Sequence, residues 1–188
     1  MSDSAPEKAH DTDKRSALYL WIVNALAFQI GWLVCVLGGN FWALIYTLPV
    51  LILHFRFFPG GRADVMPIGL ALLLGWLHDT GLTWAGVLVF DSGSVFPPPW
   101  LWCLWLLMGA TLKHSLSIIY DHPARAALVG AIAGPLAYAG GVALSDADWG
   151  MPLVNSLAIL VILWLFVLPL HRYLTLAAGE LCVRIKAP

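Results

Sequence analysis

Ionisable residues in the middle of long apolar stretches are where chemistry inside a membrane would have to run. His78 and Asp79 interrupt an apolar run from about Val65 to Val89. Lys113 and His114 interrupt another, from about Trp100 to Ile119, and Asn24 a third, from about Ala17 to Leu37. An aspartate or lysine at the centre of a membrane helix costs about 2.5–3.5 kcal/mol on insertion scales, whereas a leucine returns only about 0.5. Asp79 is on that ground a candidate for catalysis or proton movement. The competing reading pairs it with Lys113 or His78 to fix helix register. Ala110, His114, Ser117 and Asp121 share one face, at offsets of four, seven and eleven. Such a stripe suits acid/base work, because imidazole is the side chain matched to proton exchange near neutral pH. It would line a cytoplasm-facing polar pocket, with Asn24 or Asp79 across from His114. Asp79 and His114 are therefore the catalytic candidates. Asn24, His78, Lys113 and Ser117 are the candidates for substrate binding, although Lys113 could instead snorkel to the headgroups.

Other chemistry finds less support. His54, His114, His122 and His171 fall at one depth near the cytoplasmic side, but no HxxxH or HxxH pair puts two ligands on one helical face. The spacing thus predicts no metal centre. No GxSxG, HExxH, P-loop or GxGxxG motif names a nucleophile or a cofactor. Cys35, Cys103 and Cys182 are too widely spaced for a CxxC pair.

The elements that must position these residues are membrane helices. Of 188 residues, 60% are hydrophobic and only 11% charged, where a soluble domain carries about 25%. So much apolar surface cannot be covered in water. A net charge of −1 offers no basic face, which excludes a nucleic-acid partner. The sequence predicts an all-α, polytopic transmembrane bundle of six spans, each needing roughly 20 apolar residues. They run over about Ala17–Leu37, Phe41–Phe58, Val65–Val89, Trp100–Ile119, Ala124–Leu144 and Pro152–Leu170. Gly38-Gly39-Asn40, Pro59-Gly60-Gly61 and Pro97-Pro98-Pro99 punctuate them. The third span reads either as one long tilted helix or as a shorter helix ending near Thr83 with an interfacial segment after it. Residues 1–16 read as a disordered polar cytoplasmic tail rather than a signal peptide, 17–170 as the transmembrane domain and 171–188 as a cytoplasmic C-terminal tail.

Charge sets the orientation. Every lysine and arginine lies in or beside the N-terminal tail, the loop at Arg62, the loop at Asp121–Arg125 or the C-terminal tail. The other turns hold Asp91, Asp146 and Asp148. By the positive-inside rule both termini are cytoplasmic. Small residues mark close packing: Gly75, Asp79 and Gly86 on one face of the third span, Gly130 with Gly134, and Ala133, Ala137 and Gly141 in the fifth.

Four stretches, in order, carry a resemblance. They are Asn24-x3-Phe28-Gln29-x-Gly31-Trp32-x2-Cys35, the Asp79 segment with Gly86 and Phe90, Pro99-Trp100-Leu101-x2-Leu104-Trp105 running into Thr111-Leu112-x-His114-Ser115-Leu116, and Gly130-Ala131-Ile132-x-Gly134-Pro135-Leu136-Ala137-Tyr138-x2-Gly141. From Leu18 to Leu170 the chain resembles an uncharacterised family of small bacterial inner-membrane proteins, domain of unknown function 2878. It departs in its longer polar N-terminal tail and its basic C-terminal tail. The resemblance implies a multi-pass protein of the bacterial inner membrane. Family members stand beside cyclopropane-synthase-like lipid methyltransferases and flavin-dependent oxidoreductases, which implies a part in modifying fatty acyl chains. Membrane lipids, and lipid-modifying enzymes, are then the expected partners. Three functions compete: a membrane-embedded lipid-processing enzyme or accessory factor, a small proton-coupled transporter or flippase working through Asp79, and a structural membrane subunit.

Overall fold

The computed structural model describes the backbone from residue 5 to 186 and the side chains from 14 to 182. Its first helix, α1 (Ala5–Phe57), is broken at Gly39, whose φ of 63° and ψ of −163° are not helical. The chain folds back at this glycine. The Tyr46 hydroxyl donates to the Ala27 carbonyl at 2.8 Å, and a methyl group on Gly31 would strike the Tyr46 ring. Two arms of α1 therefore lie side by side, joined at the Gly38-Gly39-Asn40 punctuation. A 3₁₀ turn (Gly61–Asp64) leads into α2 (Val65–Trp84). Then come β1 (Leu88–Phe90), α3 (Pro99–Leu112), a single turn α4 (Ser117–Tyr120), α5 (Pro123–Leu144), β2 (Ala147–Trp149) and α6 (Leu153–Lys186).

Among the described residues, four helices are long and apolar enough to cross a membrane: Lys14–Phe57, Gly61–Trp84, Pro123–Leu144 and Leu153–Cys182. The apolar α3 is shorter. Leu26, Ile30, Leu33 and Leu37 of α1 are exposed along its outward side, an apolar surface that suits lipid rather than water. Of the stretch read as a polar tail, residues 1–4 lie outside the described residues. From Ala5 the backbone is helical and continuous with α1. Past Leu170 the chain likewise continues as α6.

Two expectations about the spans change. The third span is the shorter of its two readings. It stops at Trp84 in a Schellman motif, with Gly86 at φ 69°, its N–H on the Thr83 carbonyl and the Val87 N–H on the Leu82 carbonyl. Gly86 therefore ends the helix and does not share the Asp79 face. The segment after it pairs with β2 in an antiparallel ribbon, Leu88 opposite Trp149 and Phe90 opposite Ala147, a small departure from an all-helical chain.

The fourth span is not continuous to Ile119 either. α3 stops at Leu112, and Asn24 supplies the reason. Its Nδ2 donates to the Ala110 carbonyl at 3.0 Å, and its Oδ1 accepts from the Ser115 N–H at 3.2 Å and the Ser115 hydroxyl at 2.6 Å. The side chain takes over backbone groups that the next helical turn would otherwise pair, and the His114 N–H turns to Thr111 instead. The stripe from Ala110 to Asp121 is thus not one helical face.

α3 packs between α1 and α2, α5 pairs with α6, and α6 meets α2, while α1 and α5 scarcely touch. Glycines set the close approaches. A Cβ on Gly75 would fall 2.0 Å from the Trp105 ring, and one on Gly134 would fall 2.2 Å from the Trp164 ring. Gly130 lies against the Trp164 carbonyl. The Gly130–Gly134 pair is therefore a packing seam between α5 and α6, as small residues at that spacing require.

Candidate functional site

The expected residues separate into two polar centres and a capping contact. The inner centre surrounds Asp79, which is 0% exposed. Its Oδ2 accepts the Trp105 indole N–H at 2.7 Å. Its Oδ1 accepts the Tyr138 hydroxyl and lies 2.8 Å from His78 Nδ1. Groups from α2, α3 and α5 thus meet on one carboxylate, with the Trp105 ring stacked on Trp164 of α6 at 5.5 Å. A buried carboxylate needs such donors, since an unpaired one in an apolar interior is costly. Gly75 lies one turn before Asp79 and makes room for Trp105, so the small-residue side of α2 does let the donor in. With Nδ1 bonded toward Asp79, His78 directs Nε2 into a buried position that has no partner among the described residues.

Above this centre is an apolar, partly open cavity of about 90 Å³. Phe28, Trp32 and Val36 of α1 form one wall; Ala137, Gly141 and Val142 of α5 form the facing one. Trp105 and Tyr138 also line it, so the rings whose polar atoms hold Asp79 present their apolar faces to the cavity. Leu88 and Phe90 of β1, with Ala147 of β2, reach it from the ribbon. The Trp100 indole N–H donates to Asp146 at 3.1 Å and the Trp100 backbone N–H donates to Asn40 Oδ1 at 3.0 Å, which ties this end together. The Trp32 ring crosses from α1 to α5 and would be 3.2 Å from a Cβ on Gly140. α1 and α5 otherwise scarcely touch.

The second centre is at the opposite end of the bundle. Asp64, 1% exposed, accepts Lys113 Nζ on Oδ1 at 2.7 Å. Its Oδ2 lies 3.0 Å from His54 Nε2 and 2.7 Å from His114 Nε2. His114 therefore faces neither Asn24 nor Asp79, and Lys113 does not reach Asp79. Ser117 donates its hydroxyl back to the His114 carbonyl and closes the turn locally. Of the four histidines at this depth only His54 and His114 meet. His171 accepts the Tyr120 hydroxyl on Nδ1 and contacts the Pro67 carbonyl through Nε2, while His122 is exposed at the start of α5.

Sequence reasoning missed Asp64, Trp105, Tyr138 and Trp164. Asp64 is the informative omission. It follows Gly60-Gly61-Arg62-Ala63, which reads as an exposed loop, yet it ends next to two histidines and a lysine that the sequence had already placed at one depth.

A family model matches residues 21–170, and its description is a protein of unknown function, DUF2878. The chain belongs to this family. No curated protein and no solved structure gives a match. Asn24, Asp64, Asp79, His114 and Tyr138 all fall within the matched span, so both centres and the cavity are part of the DUF2878 region.

Proposed function

We propose that this DUF2878 protein is a six-span protein of the bacterial inner membrane, with both termini in the cytoplasm, that takes an apolar chain from the bilayer into the cavity between α1, α3 and α5. Fatty-acyl or phospholipid modification, as an enzyme or as its accessory factor, is the activity this suits. The observation that carries the reading is the cavity itself. Its wall is apolar apart from the two rings that hold Asp79, and α1 and α5, which flank it, pack only lightly against each other.

Six spans follow if α1 crosses twice about Gly39 and the short α3 crosses with the turn after it. The charges support the orientation. Lys14, Arg15, Arg56, Arg62, Lys113, Arg125 and Arg172 belong to the end of the bundle that holds Asp64, and Asp91, Asp146 and Asp148 to the ribbon end. The proton-carrier reading is the weaker one. Trp105 and Tyr138 both donate to Asp79 and His78 Nδ1 lies 2.8 Å from it, an arrangement suited to an anchor that ties three helices together.

The test compares lipids extracted from a deletion strain, from its parent, and from the deletion strain carrying either the wild-type gene or a Gly141→Trp variant that fills the cavity. The expected result is an altered acyl-chain profile in the deletion strain. The wild type should restore it, and Gly141→Trp, present at normal level, should not. An unchanged profile in the deletion strain would refute the lipid reading.

A further inference from the structure

Three side chains from three separate elements converge at the Asp64 end: His54 near the end of α1, Asp64 in the 3₁₀ turn and His114 just past α3. One ligand-capable atom of each lies within 4.8 Å of the others. We propose that His54, Asp64 and His114 bind one divalent transition-metal ion of the zinc or ferrous type. This inference goes beyond the lipid reading and does not depend on it.

The carboxylate oxygen stands close to both rings. In a tetrahedral site, bonds of about 2.0–2.2 Å set ligand atoms about 3.3–3.6 Å apart. Asp64 Oδ2 is 3.0 Å from His54 Nε2 and 2.7 Å from His114 Nε2, and all three ligand atoms lie within 4.8 Å of one another, so an ion enters with side-chain shifts of about 1 Å. The donor set names the class. Two imidazoles with one carboxylate select zinc, iron or a neighbour in the first row, whereas magnesium and calcium want oxygen alone. A hydrogen-bonded cluster would need both imidazoles to turn a proton on Nε2 toward the same oxygen. A single ion replaces both protons.

The surroundings are those of a built site. The His54 ring stacks on Phe58 at 5.0 Å with an 18° interplanar angle, and it stands at 84° to the His114 ring. These contacts fix both ring planes. Lys113 occupies Oδ1, which leaves Oδ2 for the ion and orients the carboxylate from outside, the usual part of a supporting partner. Three protein ligands leave a position for water or a reacting group, the pattern of catalytic rather than structural zinc. A second apolar cavity, partly open and of about 90 Å³, has His54 in its wall along with Asn24, Val50 and Phe58. The ligands share no helix, which is why no HxxxH spacing announces them.

The test uses the full-length protein in detergent, stripped of metal with a chelator and titrated with cobalt(II), whose visible absorption reports ligand number and type. About one cobalt per chain is expected, displaced by zinc. His54→Ala and Asp64→Asn should weaken binding at least about 100-fold, as loss of a direct ligand exceeds the 10–100-fold typical of its supporting partners. His122→Ala, at an exposed histidine of the same depth, should leave binding unchanged. Far-UV circular dichroism confirms that each variant is folded. His114→Ala should weaken binding to the same extent. Folded wild-type protein that takes up neither cobalt nor zinc would overturn the proposal. So would folded His54→Ala or folded Asp64→Asn binding as tightly as wild type.

Discussion

Asp79 and Asn24 show how differently two polar residues can be used in an apolar bundle. Asp79 accepts from Trp105 and Tyr138 and lies 2.8 Å from His78 Nδ1, so its removal strands two buried donors at once. Each stranded donor costs about 1–3 kcal/mol. Asp79→Leu should therefore lower the stability of the detergent-solubilised protein by at least about 2 kcal/mol. Asp79→Asn should cost less but still register, because one acceptor oxygen becomes a donor facing another donor. Thermal unfolding followed by circular dichroism checks both, and an Asp79→Leu melting curve matching wild type would contradict the network. Asn24 does not face a reacting group. It caps the end of α3 through Ala110 and Ser115. Asn24→Ala should cost about 1–3 kcal/mol by leaving that carbonyl and N–H unpaired. Asn24→Asp should keep the bonds from Ser115 and lose the one to Ala110. Equal stability of Asn24→Ala and wild type would exclude the capping role.

At the scale of elements, helix contacts turn on a few glycines. Gly75→Ala and Gly134→Ala each force a methyl group into a tryptophan ring, and those two rings stack on one another and cannot both retreat. Overpacking of this kind costs about 1–3 kcal/mol. Gly141→Ala adds a methyl where no atom lies within 4 Å and should be neutral. Expression level and thermal unfolding of the three variants give the comparison, and equal behaviour of Gly134→Ala and Gly141→Ala would contradict it. These contacts also explain what could be read from the sequence. Gly130-x3-Gly134 carries its own spacing, and the Gly38-Gly39-Asn40 break is written in residue type, so the packing seam and the fold-back were legible. The end of α3 was not. It depends on Asn24, which lies 86 residues from Ala110, and no local pattern from Trp100 to Ile119 announces it. Asp64 was illegible for a similar reason: its partners lie 10, 49 and 50 residues away.

For the whole molecule, the two polar centres stand on opposite sides of the question of function. One holds the bundle together beneath an apolar chamber, and the other gathers metal-binding groups where the basic residues collect. The orientation has a direct check. Reporter fusions after Gly93 and Asp148 should read as external, and those after Arg62 and Arg125 as cytoplasmic. A cytoplasmic signal after Gly93 would break the six-span arrangement. The central claim is that the chamber between α1, α3 and α5 holds an apolar chain, and photo-crosslinking tests it most directly. A diazirine amino acid is placed at Leu104, which lines the chamber, and separately at Leu136, which is 67% exposed on the outer face of α5. After irradiation in native membranes, the intact protein is weighed by mass spectrometry. A narrow set of lipid adducts at position 104, distinct from the bulk-lipid mixture at position 136, is the expected result. The same mixture at both positions, or no lipid adduct at position 104, would contradict it.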